Sequence, residues 1–416
     1  MRSHLTAFGL GAGLVLVAAG VLALVGPRFI DRADDGESVS VVSFGDGDSG
    51  SFQIKDSERS VAAKWKGDFI FAADARSLTS VARKLEIDVK AGGDVRRAVF
   101  ENNDGAINVT AFANDAPLAG GEAGAVAADL LQTFARSSGI NAEGRLKAII
   151  AEGGKAAAIA EIGVLTGGHA AGAYIGALAE LAALSDAEVA ALSADIAGQS
   201  SDYAKRQALG ALLEHQKLGE AGLNAVLAAA KSIDSDHEVR LIIEALSGSA
   251  LTAANATAAT ALLADIDSDH EIRLAVEALI DSKALTGLDA ARALASAAEA
   301  IDGDYEKRLV IEAAAARLDD ADVAAAAIKA ATTIESGHER RLAIEKIGEG
   351  LGQASPQWIA LIDATSGVDG DHDRRLAIES LADHAPRTDE ARAALARAAK
   401  SISSDHDRRL ALDALK

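Results

Sequence analysis

A short word with a histidine between acidic residues recurs along the C-terminal part of this 416-residue chain. It reads DSDHEVRL at 234–241, DSDHEIRL at 267–274, ESGHERRL at 335–342, GDHDRRL at 370–376 and SSDHDRRL at 403–410. Imidazole and carboxylate groups bind metals, and guanidinium groups bind carboxylates and phosphates. The word therefore predicts a metal site, a surface that binds a polyanion or peptide, or a structural repeat.

A metal site would require five histidines to converge: His237, His270, His338, His372 and His406. Neighbouring packed helices lie about 8–10 Å apart, whereas a metal–imidazole bond is about 2 Å long. Tyrosine takes the same place at 203 and 305, and leucine stands where the HExxH motif of zinc proteases needs its second histidine. We therefore expect no metal ligand, no catalytic residue, no cofactor and no enzymatic activity.

Charge and composition exclude further classes of function. A net charge of −21 argues against nucleic-acid binding, which needs a basic surface. The absence of cysteine excludes disulfides and thiolate zinc sites. Aromatic residues make up only 3% of the chain and there are four prolines, a composition typical of short packed helices.

The spacing of the word predicts a repeat architecture. Its first position recurs every 33 to 35 residues, at Asp202, Asp236, Asp269, Asp304, Gly337, Asp371 and Asp405. A period near 34 is typical of an α-solenoid of two-helix, HEAT-like repeats, which we expect over 118–416 with clear repeats from about 184. The pattern of tetratricopeptide repeats is missing.

Each word has the features of a helix start. Ser268 with Glu271 and Ser336 with Glu339 predict capping boxes, and an aspartate in the first turn suits the helix dipole. One position is arginine in all seven clear repeats: Arg206, Arg240, Arg273, Arg308, Arg341, Arg375 and Arg409. The column is either a ladder paired with acids of its own and the neighbouring repeat, or a surface that binds carboxylates of a peptide.

The N-terminal part has a different pattern. A tail at 1–4 precedes 21 residues without charge at 5–25, enough for a transmembrane signal anchor. A cleaved signal peptide is the alternative, because Val17-Ala18-Ala19 fits a cleavage site. Gly9 and Gly13 leave self-association open.

An acidic linker at 26–37 leads to alternating, β-like runs at 38–113. Asn103-Asp104-Gly105 predicts a hairpin there, and we expect the core of this small antiparallel β-domain to contain five aromatic residues: Trp65, Phe69, Phe71, Phe100 and Phe112.

The order of segments resembles a group of bacterial membrane proteins that includes relatives of the β-lactam-sensing antirepressor metallopeptidases. The similar words are ISSDHDRRLALDAL at 402–415 and KWKGDFIFAADARSLTSVA at 64–82. The peptidase part, with its HExxH motif and several membrane spans, is absent from this sequence. The resemblance implies an envelope-anchored sensing or interaction module without proteolytic activity.

Together these patterns predict an α+β multidomain protein with an N-terminal transmembrane helix, a small antiparallel β-domain and an α-solenoid. We expect a single-pass membrane protein with an extracytoplasmic body, which binds a protein or peptide partner through the repeat surface. Two alternatives remain open: a secreted soluble repeat protein formed by signal cleavage, and a hydrolase-type enzyme.

Overall fold

A computed structural model describes residues 28–32, 38–44, 49–55, 57–249, 251–252, 255–282 and 284–416. The predicted anchor at 5–25 lies outside these ranges. Within them, no helix combines the length and the apolar character that a membrane span requires. The chain forms two compact parts, here called the sheet domain, which ends at Ser138, and the repeat domain, Gly139–Lys416.

The sheet domain is an antiparallel meander. Eight strands form one sheet in the order β1-β2-β3-β4-β7-β8-β9-β10, and β5 pairs with β6 in a separate hairpin. The strands are β1 Arg28–Arg32, β2 Ser38–Phe44, β3 Ser49–Lys55, β4 Arg59–Lys66, β5 Phe69–Phe71, β6 Leu78–Val81, β7 Lys84–Ala91, β8 Asp94–Asn103, β9 Ala106–Ala113 and β10 Ala116–Pro117.

One face of the sheet is buried because apolar side chains alternate with polar ones along the strands. Helix α1, Gly120–Ser138, packs on that face, and the ring of Phe134 lies 5.8–6.1 Å from the rings of Phe52, Phe69 and Phe71. The predicted hairpin is confirmed, since Asn103 pairs with Ala106 across the turn. The predicted aromatic core is confirmed for Phe69, Phe71 and Phe100, whereas Trp65 and Phe112 are half-buried.

Two sequence-based boundaries differ from the structure. Strand β1 lies inside the segment 26–37, which was predicted to be an acidic linker. Five residues of that segment, Arg28–Arg32, pair with β2. Helix α1 falls inside the predicted solenoid 118–416 but belongs to the sheet domain. A helical pattern predicts the apolar stripe of a helix, and it does not specify which surface that stripe covers.

The repeat domain consists of paired helices, as the period of 34 predicts. The helices are α2 Ala142–Ile162, α3 Gly168–Leu181, α4 Asp186–Ala197, α5 Asp202–His215, α6 Glu220–Ala230, α7 Asp236–Ser249, α8 Ala256–Ala261, α9 Asp269–Asp281, α10 Gly287–Ala300, α11 Asp304–Ala314, α12 Ala321–Thr332, α13 Gly337–Gly350, α14 Trp358–Ala364, α15 Asp371–His384, α16 Asp389–Lys400 and α17 Asp405–Ala414.

The helices pack in two rows. Odd-numbered helices from α3 to α17, here called A helices, pack each on the next, and the even-numbered helices from α4 to α16, the B helices, do the same. Every recurring histidine word forms the first turns of an A helix. The repeat period therefore places the first turns of neighbouring A helices side by side.

Helix α2 is folded back on itself before the first A helix. Gly154 has φ 73° and ψ −177°, a conformation outside the helical region. Arg145 and Glu161 would be about 24 Å apart along a straight helix, yet their side chains meet at 2.6 Å. The two halves of α2 therefore lie against each other, like the two helices of a repeat.

Gly337 is the one break in the aspartate column, and close packing explains it. A Cβ atom at Gly337 would lie 2.1 Å from the backbone oxygen of Asp369, in the loop before the next A helix. We expect Gly337→Asp, which would complete the repeat pattern, to lower the free energy of unfolding by about 1–3 kcal/mol through overpacking. Denaturant unfolding measures this change.

Gly210→Ala is the matched control, because no atom lies within 4 Å of a Cβ built at Gly210 inside α5. Alanine at this helical position should raise the stability by about 0.5–1 kcal/mol. A stabilising Gly337→Asp would contradict the packing explanation.

Candidate functional site

The arginine column forms a ladder that runs from repeat to repeat. The Nε atom of each arginine faces a carboxylate in the first turn of the next A helix: Arg206 with Glu238 at 2.7 Å, Arg273 with Glu306 at 2.5 Å, Arg308 with Glu339 at 2.5 Å, Arg341 with Asp373 at 2.8 Å and Arg375 with Asp407 at 3.1 Å. Arg240 pairs with Glu271 in the same way.

A second carboxylate comes from the same helix, four residues further on. Arg273 pairs with Glu277 at 2.7 Å, Arg341 with Glu345 at 2.9 Å and Arg375 with Glu379 at 2.8 Å. Arg240 and Arg308 pair likewise with Glu244 and Glu312. The side chains of these five arginines are only 11–15% exposed. Arg206 has Gly210 in that place, and Arg409 is exposed.

The aspartate column also links each A helix to the next one, but its side chains accept hydrogen bonds whereas the arginines donate them. Asp202 accepts hydrogen bonds from the backbone N–H groups of Asp234 and Ser235, at 2.9 and 2.8 Å, at the start of the next A helix. The same contact recurs in four further repeats, from Asp236, Asp269, Asp304 and Asp371. The sequence pattern placed these aspartates at the helix dipole and on one face with the arginine and the glutamate, and it did not predict their bonds to backbone N–H groups of the next repeat. Their recurrence at a fixed position was the signal of a link between repeats.

This link corrects the predicted capping boxes. Ser268 does accept a hydrogen bond from the backbone N–H of Glu271. However, the Ser268 N–H is donated to Asp236 of the preceding repeat, and the Glu271 carboxylate binds Arg240 of that repeat. The second half of the box is therefore replaced by contacts between repeats. A complete capping box does occur at Ser185 and Glu188, where α4 begins.

The aromatic rings of the word cover the arginines. The Nδ1 atoms of His237, His270, His338 and His372 lie 3.1–3.3 Å from the guanidinium group three residues later. Tyr203 and Tyr305 place their ring centroids 5.0 Å from the guanidinium carbons of Arg206 and Arg308. Either ring type contacts the arginine through an electron-rich group, which explains why histidine and tyrosine exchange at this position.

The carboxylates stabilise the charged form of the ladder arginines. Partial burial acts to lower the pKa of Arg341, but the hydrogen bonds to Glu345 and Asp373 outweigh it, and the pKa is raised above its usual value. The same balance raises the pKa of Arg240, Arg273 and Arg308. Burial lowers the pKa of the neighbouring Arg340.

This geometry favours the structural interpretation of the site. Each fully paired arginine contacts two carboxylates, so little of its charge is left for a ligand. No group of three or more metal-binding side chains occurs in the described ranges. The arrangement can join repeats and hold their spacing.

We expect His270→Tyr to change the free energy of unfolding by less than about 1 kcal/mol, the size of a mild substitution. Tyrosine at 203 and 305 already covers the equivalent arginine. Thermal unfolding measures the change, and zinc titration is the control. Stoichiometric zinc binding by the wild type that is lost in His270→Tyr would contradict a structural role.

His169, at the start of α3, makes stability depend on pH. Burial lowers its pKa below 6.5, so the unfolded chain binds a proton more readily than the folded chain. The stabilisation is complete above pH 6.5 and is lost as the pH falls through the folded-state pKa. We expect His169→Gln to reduce the slope of unfolding free energy against pH below 6.5 and to leave the slope between pH 7.5 and 9 unchanged. An unaltered slope below pH 6.5 would contradict the assignment.

Comparison with known proteins identifies no relative of this chain. No family model matches the chain, and neither a curated protein nor a solved structure is similar to it at a significant level.

Proposed function

We propose that the chain is a non-enzymatic interaction or sensing module of the bacterial cell envelope. Residues 5–25 anchor it in the membrane as a single span, the body lies on the extracytoplasmic side, and the repeat surface binds a protein or peptide partner. The repeat architecture supports this proposal, because stacked helix pairs present an extended surface suited to protein partners. The resemblance of residues 402–415 to the helical repeats of a group of bacterial membrane proteins, and of residues 64–82 to the segment that precedes those repeats, supports it as well.

The observation that carries the proposal is the internal pairing of the arginine column. Residues 139–416 contain 44 Asp and Glu against 27 Lys and Arg, an excess of 17 acidic residues, and the paired arginines leave little positive charge exposed to offset it. Exposed acids also precede five of the A helices, at Asp234, Asp267, Asp302, Glu335 and Asp369. We therefore propose a partner with a basic surface, attracted by electrostatic complementarity.

The test combines membrane extraction with partner capture from the full-length chain. Carbonate-washed membranes should retain the protein. Crosslinking in intact cells should then recover a basic partner, whose yield falls above about 0.5 M salt because exposed charges are screened. Recovery of a soluble form that begins near Gly20 would contradict the anchor and favour secretion.

A matched pair of variants tests the surface. Asp234→Asn, Asp267→Asn, Asp302→Asn and Glu335→Gln together remove four charges from the repeat domain. Asp68→Asn, Asp104→Asn, Asp115→Asn and Glu122→Gln remove four exposed charges from the sheet domain. The partner should be lost only in the first set. Equal recovery with both sets would contradict binding through the repeat surface.

A further inference from the structure

The edge of the large sheet at β9 is open over half its length. Strand β10 pairs only with Ala113 and Phe112, and the Leu118 N–H extends the pairing to the Ala111 oxygen at 2.9 Å. Along the described chain, no strand pairs with the outer side of residues 106–110. Since Ala111 directs its oxygen to this side, Val109 and Ile107, two and four residues earlier, direct their N–H and C=O groups there too.

The sequence of the open stretch lacks the charges and the proline that commonly protect an edge strand. Its sequence, AINVT at 106–110, contains no charge and no proline, and Ile107 and Val109 have high strand propensity. Val109 is 42% exposed, although Phe100, which lies opposite it on β8, is only 3% exposed. Four unpaired backbone groups thus lie beside an exposed aliphatic side chain.

We propose that this edge pairs with the same edge of a second copy of the chain. In an antiparallel pairing with a two-fold axis at Asn108, Ile107 of each copy lies opposite Val109 of the other copy. All four open backbone groups then form hydrogen bonds in each copy. The aliphatic side chains form two cross-strand pairs on one face of the joined sheet.

Symmetry and charge both favour a second copy as the occupant. The stretch is bounded by the β8–β9 turn and by Leu118, so its five residues match a second five-residue stretch in length. Because the stretch is uncharged, the paired strands of two copies place no like charges directly opposite each other.

The paired stretch is only five residues long, so a high local concentration of the chain would favour the dimer. A common membrane anchor holds copies in one plane and converts association into a nearly intramolecular step. Only this concentration effect rests on the proposed function.

The chain contains no cysteine, so Asn108→Cys introduces a single thiol at the proposed axis. Directly opposite residues of a non-hydrogen-bonded antiparallel pair have Cα atoms about 4.5 Å apart, within the range of about 4.4–6.8 Å that a disulfide spans. Copper-phenanthroline oxidation of the full-length chain in its membranes should give a disulfide-linked dimer that a reductant dissociates.

Glu101→Cys is the matched control, because Glu101 is equally exposed and lies opposite Asn108 on β8, one strand further from the axis. We expect the Asn108→Cys dimer to form at least about tenfold faster, since only this position meets the geometry of a disulfide. Equal rates would overturn the proposal.

Blocking variants are made in the Asn108→Cys background. Val109→Pro removes an outward N–H without removing a bond between β8 and β9, and Val109→Lys adds a charge to the edge without altering the backbone. Both should abolish the dimer. Persistence of the dimer in the folded Val109→Lys chain would overturn the proposal.

Carbonate extraction of the same samples separates the two proposals. An anchored chain without the dimer contradicts the edge pairing alone. A soluble chain contradicts the anchor, and the crosslinking comparison then decides the pairing on the concentrated soluble protein.

Discussion

We expect Arg145→Met to lower the free energy of unfolding of the repeat domain by about 3–5 kcal/mol, as removal of one partner of a buried ion pair does. The Arg145 side chain is fully buried, and it bonds Glu161 at 2.6 Å and the Tyr174 hydroxyl at 3.0 Å. These contacts join both halves of α2 to α3. Methionine would leave the Glu161 carboxylate, 14% exposed, without this cation.

The double variant Arg145→Met with Glu161→Leu tests the cause. Replacing both charges with apolar groups of similar size removes the unpaired carboxylate, and its cost should be well below that of Arg145→Met alone. Denaturant unfolding of the wild type, both single variants and the double variant gives the coupling energy. Additive losses would contradict the ion pair as the source of the effect.

Removal of one ladder arginine should have the second-largest effect. We expect Arg341→Ala to lower the free energy of unfolding by about 2–3 kcal/mol. It leaves Asp373 and Glu345, 27% and 20% exposed, without the guanidinium that joins them, and their partial contact with water keeps the cost below that of a fully buried pair.

Arg397→Ala is the control for Arg341→Ala. The Arg397–Asp363 pair is 3.9 Å long and its side chains are 63% and 61% exposed, so its loss should cost under about 0.5 kcal/mol. Thermal melts of the two variants measure the difference. If Arg341→Ala leaves the melt unchanged and abolishes partner capture, the column is a binding surface rather than a ladder.

The sequence predicted the repeat period, the helix starts and, as one of two alternatives, a ladder of paired arginines, because each of these depends on a regular spacing of residue types. The period of the aspartate column placed all seven clear A helices, and the i, i+4 spacing of Arg341 and Glu345 placed an acid beside each paired arginine. The strand alternation around Phe52 and Leu85 likewise predicted the sheet and its buried face.

The remaining features depend on contacts that no local pattern encodes. The bond from Ser268 to Asp236 joins residues 32 positions apart and competes with a capping box that the local sequence also allows. The Gly153-Gly154 pair in α2 is a local signal for a break, but it does not specify that the two halves of the helix fold back on each other. The position of α1 on the sheet depends on which apolar surface is available to it, which is a property of the folded domain.

From α5 onward the links between repeats all have one direction, since an A helix offers its arginine and, where present, its aspartate forward, and its acid and cap amides backward. An insertion or deletion of one whole period therefore joins a forward set to an equivalent backward set, and the new junction finds its partners in place. The spacing itself varies from 33 to 35 residues, but a change that removes the start of an A helix would leave the preceding arginine and aspartate without their partners. Gene duplication or recombination can therefore lengthen or shorten the array between α5 and α17 in steps of one repeat, with Gly337 marking a junction that lacks the aspartate link.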